Sequence, residues 1–361
     1  MLTMSSFREP IATASPQGID FRFIDIPSSP FRLVKGLWTY DVYRRWQDAA
    51  LKYVEATGEK FDVAHHVTWA SLHLGSQLWR LPMPLVYGPI GGGQTAPANY
   101  WRYFGRDWPA ESMRSAATGS LLMFNGRSRD TIRNSAMTFV CNSATATACR
   151  RLGATDVRYM MADGLTSAWL AEPRKQPGGV PVVLWLGRLI SRKTPVLALE
   201  AFAELRRVMP ARMLVAGDGP LQGKVHATAE RLGIGGDVEL LGRVPADKIK
   251  PLFDSASVFL FTSLRDSFGG QVLEALGRGL PAVALNHHGV GDADVGPAIM
   301  KVALPVQPAE LPVRVGSALR MVLTDGQWES RSKAAIKWAA QQAWPTKAAA
   351  ATKAYEMVTR A

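Results

Sequence analysis

The 361-residue chain holds two cysteines, Cys141 and Cys149, without metal-ligand spacing, and both read as packing residues. No apolar run approaches the roughly 20 residues that a membrane-spanning helix needs. The N-terminus has no basic stretch followed by an apolar core and a cleavage site, so neither export nor insertion is expected and the predicted location is the cytoplasm. Low-complexity tracts and internal repeats of 20 to 50 residues are missing. So are zinc-finger, helix-turn-helix and RNA-recognition patterns, and the basic residues are scattered without a lysine-rich tail, which argues against a nucleic-acid partner. No Gly-x-Ser-x-Gly nucleophile motif occurs. Acidic residues are in deficit: 42 Lys and Arg against 30 Asp and Glu give a formal charge of +12. That excess calls for an acidic partner, a phosphorylated substrate or an anionic membrane surface.

The chain is too long for one ordinary core, and with 47% apolar residues it can fill two. Short aliphatic runs alternate with amphipathic stretches through the second half, the arithmetic of an α/β fold with parallel strands. Strands are predicted at 180–186, 212–216, 238–241, 257–261 and 281–285. Helices are expected from 195 to about 209, with Thr194 as N-cap and Pro195 at the first helical position, and over 221–232, 248–254 and 271–278. Ligands of such sheets bind outside the carboxyl ends of the strands, so the loops opening at Gly187, Gly217, Gly242, Thr262 and Asn286 are the candidate site. The first half repeats the grammar more faintly, with strand-like runs at 21–25, 63–66, 85–87, 137–141 and 157–161 and a helix from about 40 to 57. A proline- and glycine-rich stretch, 162–179, reads as a linker. The predicted organisation is an N-terminal domain over 1–174, a C-terminal domain over 175–335 and a C-terminal helix, 336–361, with Trp338, Trp344 and Tyr355 as anchors on a domain surface.

Four features carry chemistry. Gly187-Arg188, with Lys193 just before a helix, puts two cations on a loop facing the cleft, suited to a diphosphate. In the run Asp266-Ser-Phe268-Gly269-Gly270-Gln-Val-Leu-Glu274, two glycines at a helix start expose backbone N–H groups to phosphate oxygens. Glu274 is placed to accept from ribose hydroxyls and Asp266 from a sugar. Gly91, Gly92 and Gly93 follow a strand and let a ligand lie against the main chain. Finally, His65-His66 ends a strand, and since strands alternate faces only one of the pair points into the cleft; His66 is the choice. His287, His288 and Asp292 lack a third well-spaced ligand, so no metal site is predicted.

Gly187-Arg188 with Lys193, Gly-Asp-Gly-Pro-Leu at 217–221, Leu-Gly-Arg-Val at 241–244 and the acid-x7-acid motif, in this order and spacing, resemble the donor domain of the group 1 (family 4) retaining glycosyltransferases of GT-B fold. The likeness is close over 182–304. It implies two Rossmann-like domains facing across a cleft and transfer of a sugar, with retention, from a nucleoside diphosphate sugar to a hydroxyl of a saccharide or lipid-linked acceptor. Arg188, Lys193, Asp266 and His66 become the expected catalytic residues. Gly187, Arg243, Val244, Phe268, Gly269, Gly270 and Glu274 would bind the donor, and Gly91 to Gly93 would face the acceptor. The resemblance implies no cofactor and no metal; peripheral attachment to the inner face of the cytoplasmic membrane agrees with the charge. Asp266 stands where the family usually has glutamate. The chain opens on what looks like the family's second strand, so the first β-loop-α unit is expected to be missing. A catalytically weak nucleotide- or partner-binding relative and a GT-B sugar-nucleotide epimerase are the alternatives.

Overall fold

The computed structural model describes residues 1–14, 17–26, 35–67, 69, 71–119 and 121–360. Three parallel sheets carry the architecture. β1 (Leu2–Met4) pairs with β2 (Arg22–Ile24). The N-terminal half is built on β3 (Ala64–His66), β4 (Leu85–Ile90), β5 (Met137–Val140) and β6 (Val157–Tyr159), in the order 3-4-5-6. The C-terminal half contains β7 (Val182–Leu186), β8 (Arg212–Ala216), β9 (Val238–Gly242), β10 (Val258–Phe261), β11 (Ala282–Leu285) and β12 (Ile299–Val302), in the order 12-11-10-7-8-9. Two Rossmann-like α/β units thus face one another across a cleft.

The second sheet fixes where a ligand can go. The chain winds outward from β7 through β8 to β9, then returns to β10 on the other side of β7. The loops leaving β7 and β10 therefore diverge from adjacent strands, leaving a crevice at the switch point. β10 and β11 are fully buried and read as unbroken apolar runs, as parallel strands covered on both faces must. The helix Pro195–Arg206 buries nine of its twelve residues between this sheet and the helix Leu311–Thr324. The approach is close because residue 316 is glycine; a Cβ there would lie 2.7 Å from Cβ of Glu204 and 2.9 Å from the Ala201 carbonyl.

Two expectations are corrected. Thr194 stands at the N-cap of the helix that begins at Pro195, but its side chain makes no capping bond: its backbone is left-handed (φ 45°), and its hydroxyl donates to the carbonyl of Thr262 just after β10. A long-range bond between two loops outcompetes the local cap. The C-terminal segment is two helices rather than one, Trp328–Ala340 and Trp344–Thr359, broken where Trp344 N–H donates to the Leu165 carbonyl at 3.0 Å. Trp338 stacks on Phe268 (5.4 Å between centroids), while Ala354 packs on Val86, Met137 and Phe139 of the first sheet. Ala361 lies outside the described residues. Both cysteines are buried and unpaired, with thiols pushed up by burial to about 11 for Cys141 and about 12 for Cys149, which leaves them inert packing groups.

Trp328 ties the first of those helices to the second sheet. It is 3% exposed, its indole N–H donates to the Ser257 carbonyl at 2.7 Å, and the Arg174 guanidinium lies 5.3 Å from its ring centre. Trp328→Ala removes an aromatic side chain and orphans that carbonyl. It is expected to destabilise the C-terminal half by about 3 to 5 kcal/mol in urea unfolding; a loss below about 1 kcal/mol would mean the helix is not part of that core.

Candidate active site

The loop leaving β7 is held in place by backbone. Gly187 N–H donates to Ala216 O at 3.0 Å and Leu189 N–H to Asp218 O at 2.7 Å. Gly217 (φ 136°) lies so close that a Cβ would sit 1.9 Å from the Gly187 carbonyl, and a Cβ on Gly219 would sit 2.6 Å from that of Leu189. The Gly-Asp-Gly-Pro run is therefore a brace: it lets two loops interlock and presents Arg188, which is exposed and has no ion pair among the described residues.

A cavity of about 310 Å³ opens between this loop and the one leaving β10. Arg188, Arg192 and Lys193 line one side, and Asp266 to Gln271 the other. Lys193, 7% exposed, forms an ion pair with Asp266, and its ammonium lies 4.9 Å from the centre of the Phe261 ring. Arg192 adds a second cation at 3.3 Å from the same carboxylate oxygen, while Ser267 N–H donates to the other at 2.9 Å. Burial alone pushes the Asp266 carboxyl up, but Lys193, Arg192 and the Ser267 amide together hold it below its ordinary range. Burial lowers the Lys193 ammonium against the pull of Asp266.

On the opposite wall, Gly269 (φ 106°) leaves β10's loop in a conformation other residues avoid, and a Cβ there would lie 2.5 Å from the Phe261 ring. The eight-residue helix Gly270–Gly277 starts next, its free N–H groups facing the cavity. Asp163, from the N-terminal half, stands opposite; its carboxylate is 3.5 Å from where a Gly270 Cβ would be. A smaller cavity of about 220 Å³ continues past Arg188 and Gln271, which line both, toward Gly187, Arg243 and Val244. One connected trough thus offers cations and helix amides at its centre and a side lobe at the end of β9.

Across the cleft a third cavity, about 650 Å³, is lined by His73, Gly92, Gln94 and Arg114 of the N-terminal half and by Arg265 and Ser267 from beside Asp266. Gln94 Nε2 donates to Ser267 Oγ at 3.1 Å, so Ser267 is common ground for both cavities. The three glycines have different tasks. Gly92 (φ 112°) lines the cavity; Gly91 gives its carbonyl to Leu72 N–H at 2.8 Å; a Cβ on Gly93 would sit 2.5 Å from Thr145 Cα. Of the three only Gly92 lines the cavity, and the other two serve the packing around it.

His66 is not in the cleft wall. It is buried, shares a hydrogen bond with Tyr43 Oη at 2.7 Å and stands edge-on to Tyr87. His65 points the other way but is equally engaged, with Gly88 O at 2.8 Å and Tyr355 Oη at 2.6 Å. Both line a separate cavity of about 560 Å³ within the N-terminal half, and neither lines the trough. His288 is neutral, driven down to about 3 by burial and the neighbouring His287 ring, and donates to Thr95 O at 2.9 Å. Asp292 accepts from Ser143 N–H at 2.6 Å and its hydroxyl at 2.7 Å, a contact between halves rather than a ligand. Gly289 touches the Ser267 carbonyl, which a Cβ would meet at 1.8 Å.

The family model for glycosyl transferases group 1 matches residues 170–293, which include every residue of the trough contributed by the second sheet. Over residues 170–293 the chain resembles the group 1 glycosyl transferases. The chain is 32% identical over 139 residues to 2-deoxystreptamine glucosyltransferase of Streptomyces kanamyceticus, covering 38% of this chain and 35% of that protein. It is 31% identical over 113 residues to the lipopolysaccharide core biosynthesis glycosyltransferase LpsE of Rhizobium meliloti, covering 31% and 32%. These matches span about a third of each relative's length. Sucrose-phosphate synthase from Thermosynechococcus elongatus superposes with a TM-score of 0.68 at 18% identity, over 95% of this chain and 85% of that one. Anabaena HepE in complex with UDP gives 0.64 at 17% identity, over 97% and 89%. At such identities the likeness is one of fold.

Within the matched segment, Glu274 lines neither of the two cavities beside Arg188. Burial, then the Asp163 charge, raises its carboxyl from 4.5 to about 7. A carboxyl raised on folding ionises more easily in the unfolded chain, so it contributes nothing below about pH 4.5 and lowers stability as pH climbs through 7. Glu274→Gln is therefore expected to match the parent's melting temperature near pH 4.5 and to exceed it at pH 8. Melting curves that run parallel across this range would show that Glu274 ionises normally.

Proposed function

We propose that the chain is a retaining glycosyltransferase that moves a sugar from a nucleoside diphosphate sugar to a hydroxyl of a saccharide or lipid-linked acceptor. The observation that carries this reading is the convergence of Arg188, Arg192 and Lys193 with the amides of the helix Gly270–Gly277 on one cavity. Three cations against the two carboxylates Asp163 and Asp266 leave the cavity net positive, which supports a diphosphate site. The lobe bounded by Gly187, Arg243 and Val244 would take the nucleoside, and Asp266, held by Lys193, would accept from hydroxyls of the transferred sugar.

In the proposed step the bond from the anomeric carbon to the diphosphate oxygen breaks, and a bond to the acceptor oxygen forms on the same face. The acceptor's proton passes to the departing phosphate, so no protein nucleophile is required. Arg188, Arg192 and Lys193 neutralise the charge that builds on the leaving group, the task a divalent metal would otherwise have, and the reaction is proposed to run without one. Closing the cleft would exclude water from the donor. Among the described residues no helix is long and apolar enough to cross a membrane. The formal charge of +12 supports a surface-bound state on anionic lipid.

Arg188→Ala is the sharpest test, because an exposed cation without an ion pair among the described residues can be removed without orphaning a carboxylate. Sugar release from the preferred donor should slow on the order of ten- to a hundredfold with the melting temperature unchanged; activity within twofold of the parent would sink the assignment. The donor is found by thermal shift and hydrolysis against UDP-, GDP- and ADP-sugars with and without EDTA. Stabilisation with EDTA-insensitive hydrolysis of one donor is the expected result. Stabilisation without turnover would favour a nucleotide-binding relative, and an altered sugar an epimerase.

A further inference from the structure

The cavity across the cleft has a composition unlike that of a neutral sugar site. Arg44, Arg114, Arg127 and Arg265 all line it, with His73, and no carboxylate lines it among the described residues. Two carboxylates stand behind these guanidinium groups. Glu111, 7% exposed, is shared by Arg265 at 2.7 Å and Arg114 at 3.3 Å, and Asp48 meets Arg127 at 3.1 Å. Arg44 is exposed and has no ion pair among the described residues. Four guanidinium groups against two carboxylates leave two positive charges unmatched around about 650 Å³. The amide oxygens of Gln94 and Asn125 already accept from Gly92 and Ser128 N–H, so what the cavity chiefly offers is guanidinium donors, which suit the oxygens of an anion. Burial, then the charge of Arg114, already lowers the Arg265 guanidinium, as expected for cations gathered with too few counter-charges.

We propose that this cavity binds an anionic group of the acceptor, a phosphate or carboxylate, so that the sugar is transferred to a phosphorylated or acidic molecule and not to a neutral saccharide. The inference rests on the glycosyl-transfer reading for the word acceptor, but the anion site stands on the arginines alone. Arg114 and Arg265 grip it from opposite halves of the molecule, because Glu111 aligns both without neutralising both. Arg44 and Arg127 form the outer part, and Ser267 marks where the acceptor passes into the donor cavity. The two anions, donor diphosphate and acceptor group, are held by separate sets of cations.

The test uses the full chain and compares glucose 6-phosphate, inorganic phosphate and glucose by ligand-observed NMR, with flotation on vesicles of phosphatidylglycerol or phosphatidylcholine as a second arm. Glucose 6-phosphate should bind about tenfold or more tightly than glucose, and added salt should weaken it. Arg44→Gln should reduce that affinity about threefold or more, and Arg114→Gln further still. Arg44→Gln, at an exposed side chain, keeps the test valid if Arg114→Gln fails to fold by stranding Glu111. Preference for phosphatidylglycerol vesicles that falls with Arg44→Gln would assign the anion to a lipid headgroup; loss with the soluble phosphate alone would assign it to a free one. Equal affinity for glucose and glucose 6-phosphate, or phosphate binding that falls with Arg188→Ala and not with Arg44→Gln, overturns the proposal. Nucleotide-sugar binding measured on the same samples reads the other hypothesis: if it is absent while the phosphate site behaves as stated, glycosyl transfer fails and the anion site survives.

Discussion

The ion pair between Lys193 and Asp266 is the contact on which the C-terminal crevice depends. Two oppositely charged groups are withdrawn from water on neighbouring loops, and each is tolerable only because the other is there. The pair closes the switch point of the sheet, joining the loop after β7 to the loop after β10 at the spot where they diverge. The second link between the same loops, from the Thr194 hydroxyl to the Thr262 carbonyl, needs the left-handed backbone at Thr194. Charge and backbone geometry thus pin one another, and Arg188 projects into solvent from a base that has little freedom to move.

The stretch from Arg265 to Asp292 reads both halves of the molecule at once. Arg265 reaches Glu111; Ser267 meets Gln94 through its hydroxyl and Asn142 through its carbonyl; Asp292 accepts from Ser143. Between these contacts lie Asp266 and the helix start at Gly270. Residues that line both cavities are therefore mounted on a single segment.

The C-terminal half was legible because its central strands, β7, β10 and β11, are covered on both faces and appear as unbroken apolar runs. Arg192 and Arg265 were present beside Lys193 and Asp266 but carried no pattern of their own; only the cavity distinguishes them from surface cations. The N-terminal half was harder. Parity along β3 correctly put His65 and His66 on opposite faces, yet parity cannot say what covers each face. Tyr43 covers one and Tyr355, 290 residues away in sequence, covers the other. Three consecutive glycines are indistinguishable as letters, and their separate duties as strand extension, cavity wall and helix contact depend on Leu72, His73 and Thr145. Thr194-Pro195 made a sound local cap that a tertiary hydrogen bond displaced.

The chain passes between its two halves twice, once through the segment after β6 and once between its last two helices. The passages lie side by side: Leu165 N–H donates to Gln342 O at 3.2 Å, and Trp344 N–H returns the bond to Leu165 O at 3.0 Å. Two covalent crossings laced together at one point behave as a single pin. Shear and separation of the halves would each have to tear that lacing, whereas rotation about it leaves both bonds intact. Rotation about that pin would in turn have to part the other contacts between the halves, at Tyr100 and Pro305, Tyr103 and Glu200, and Ser143 and Asp292.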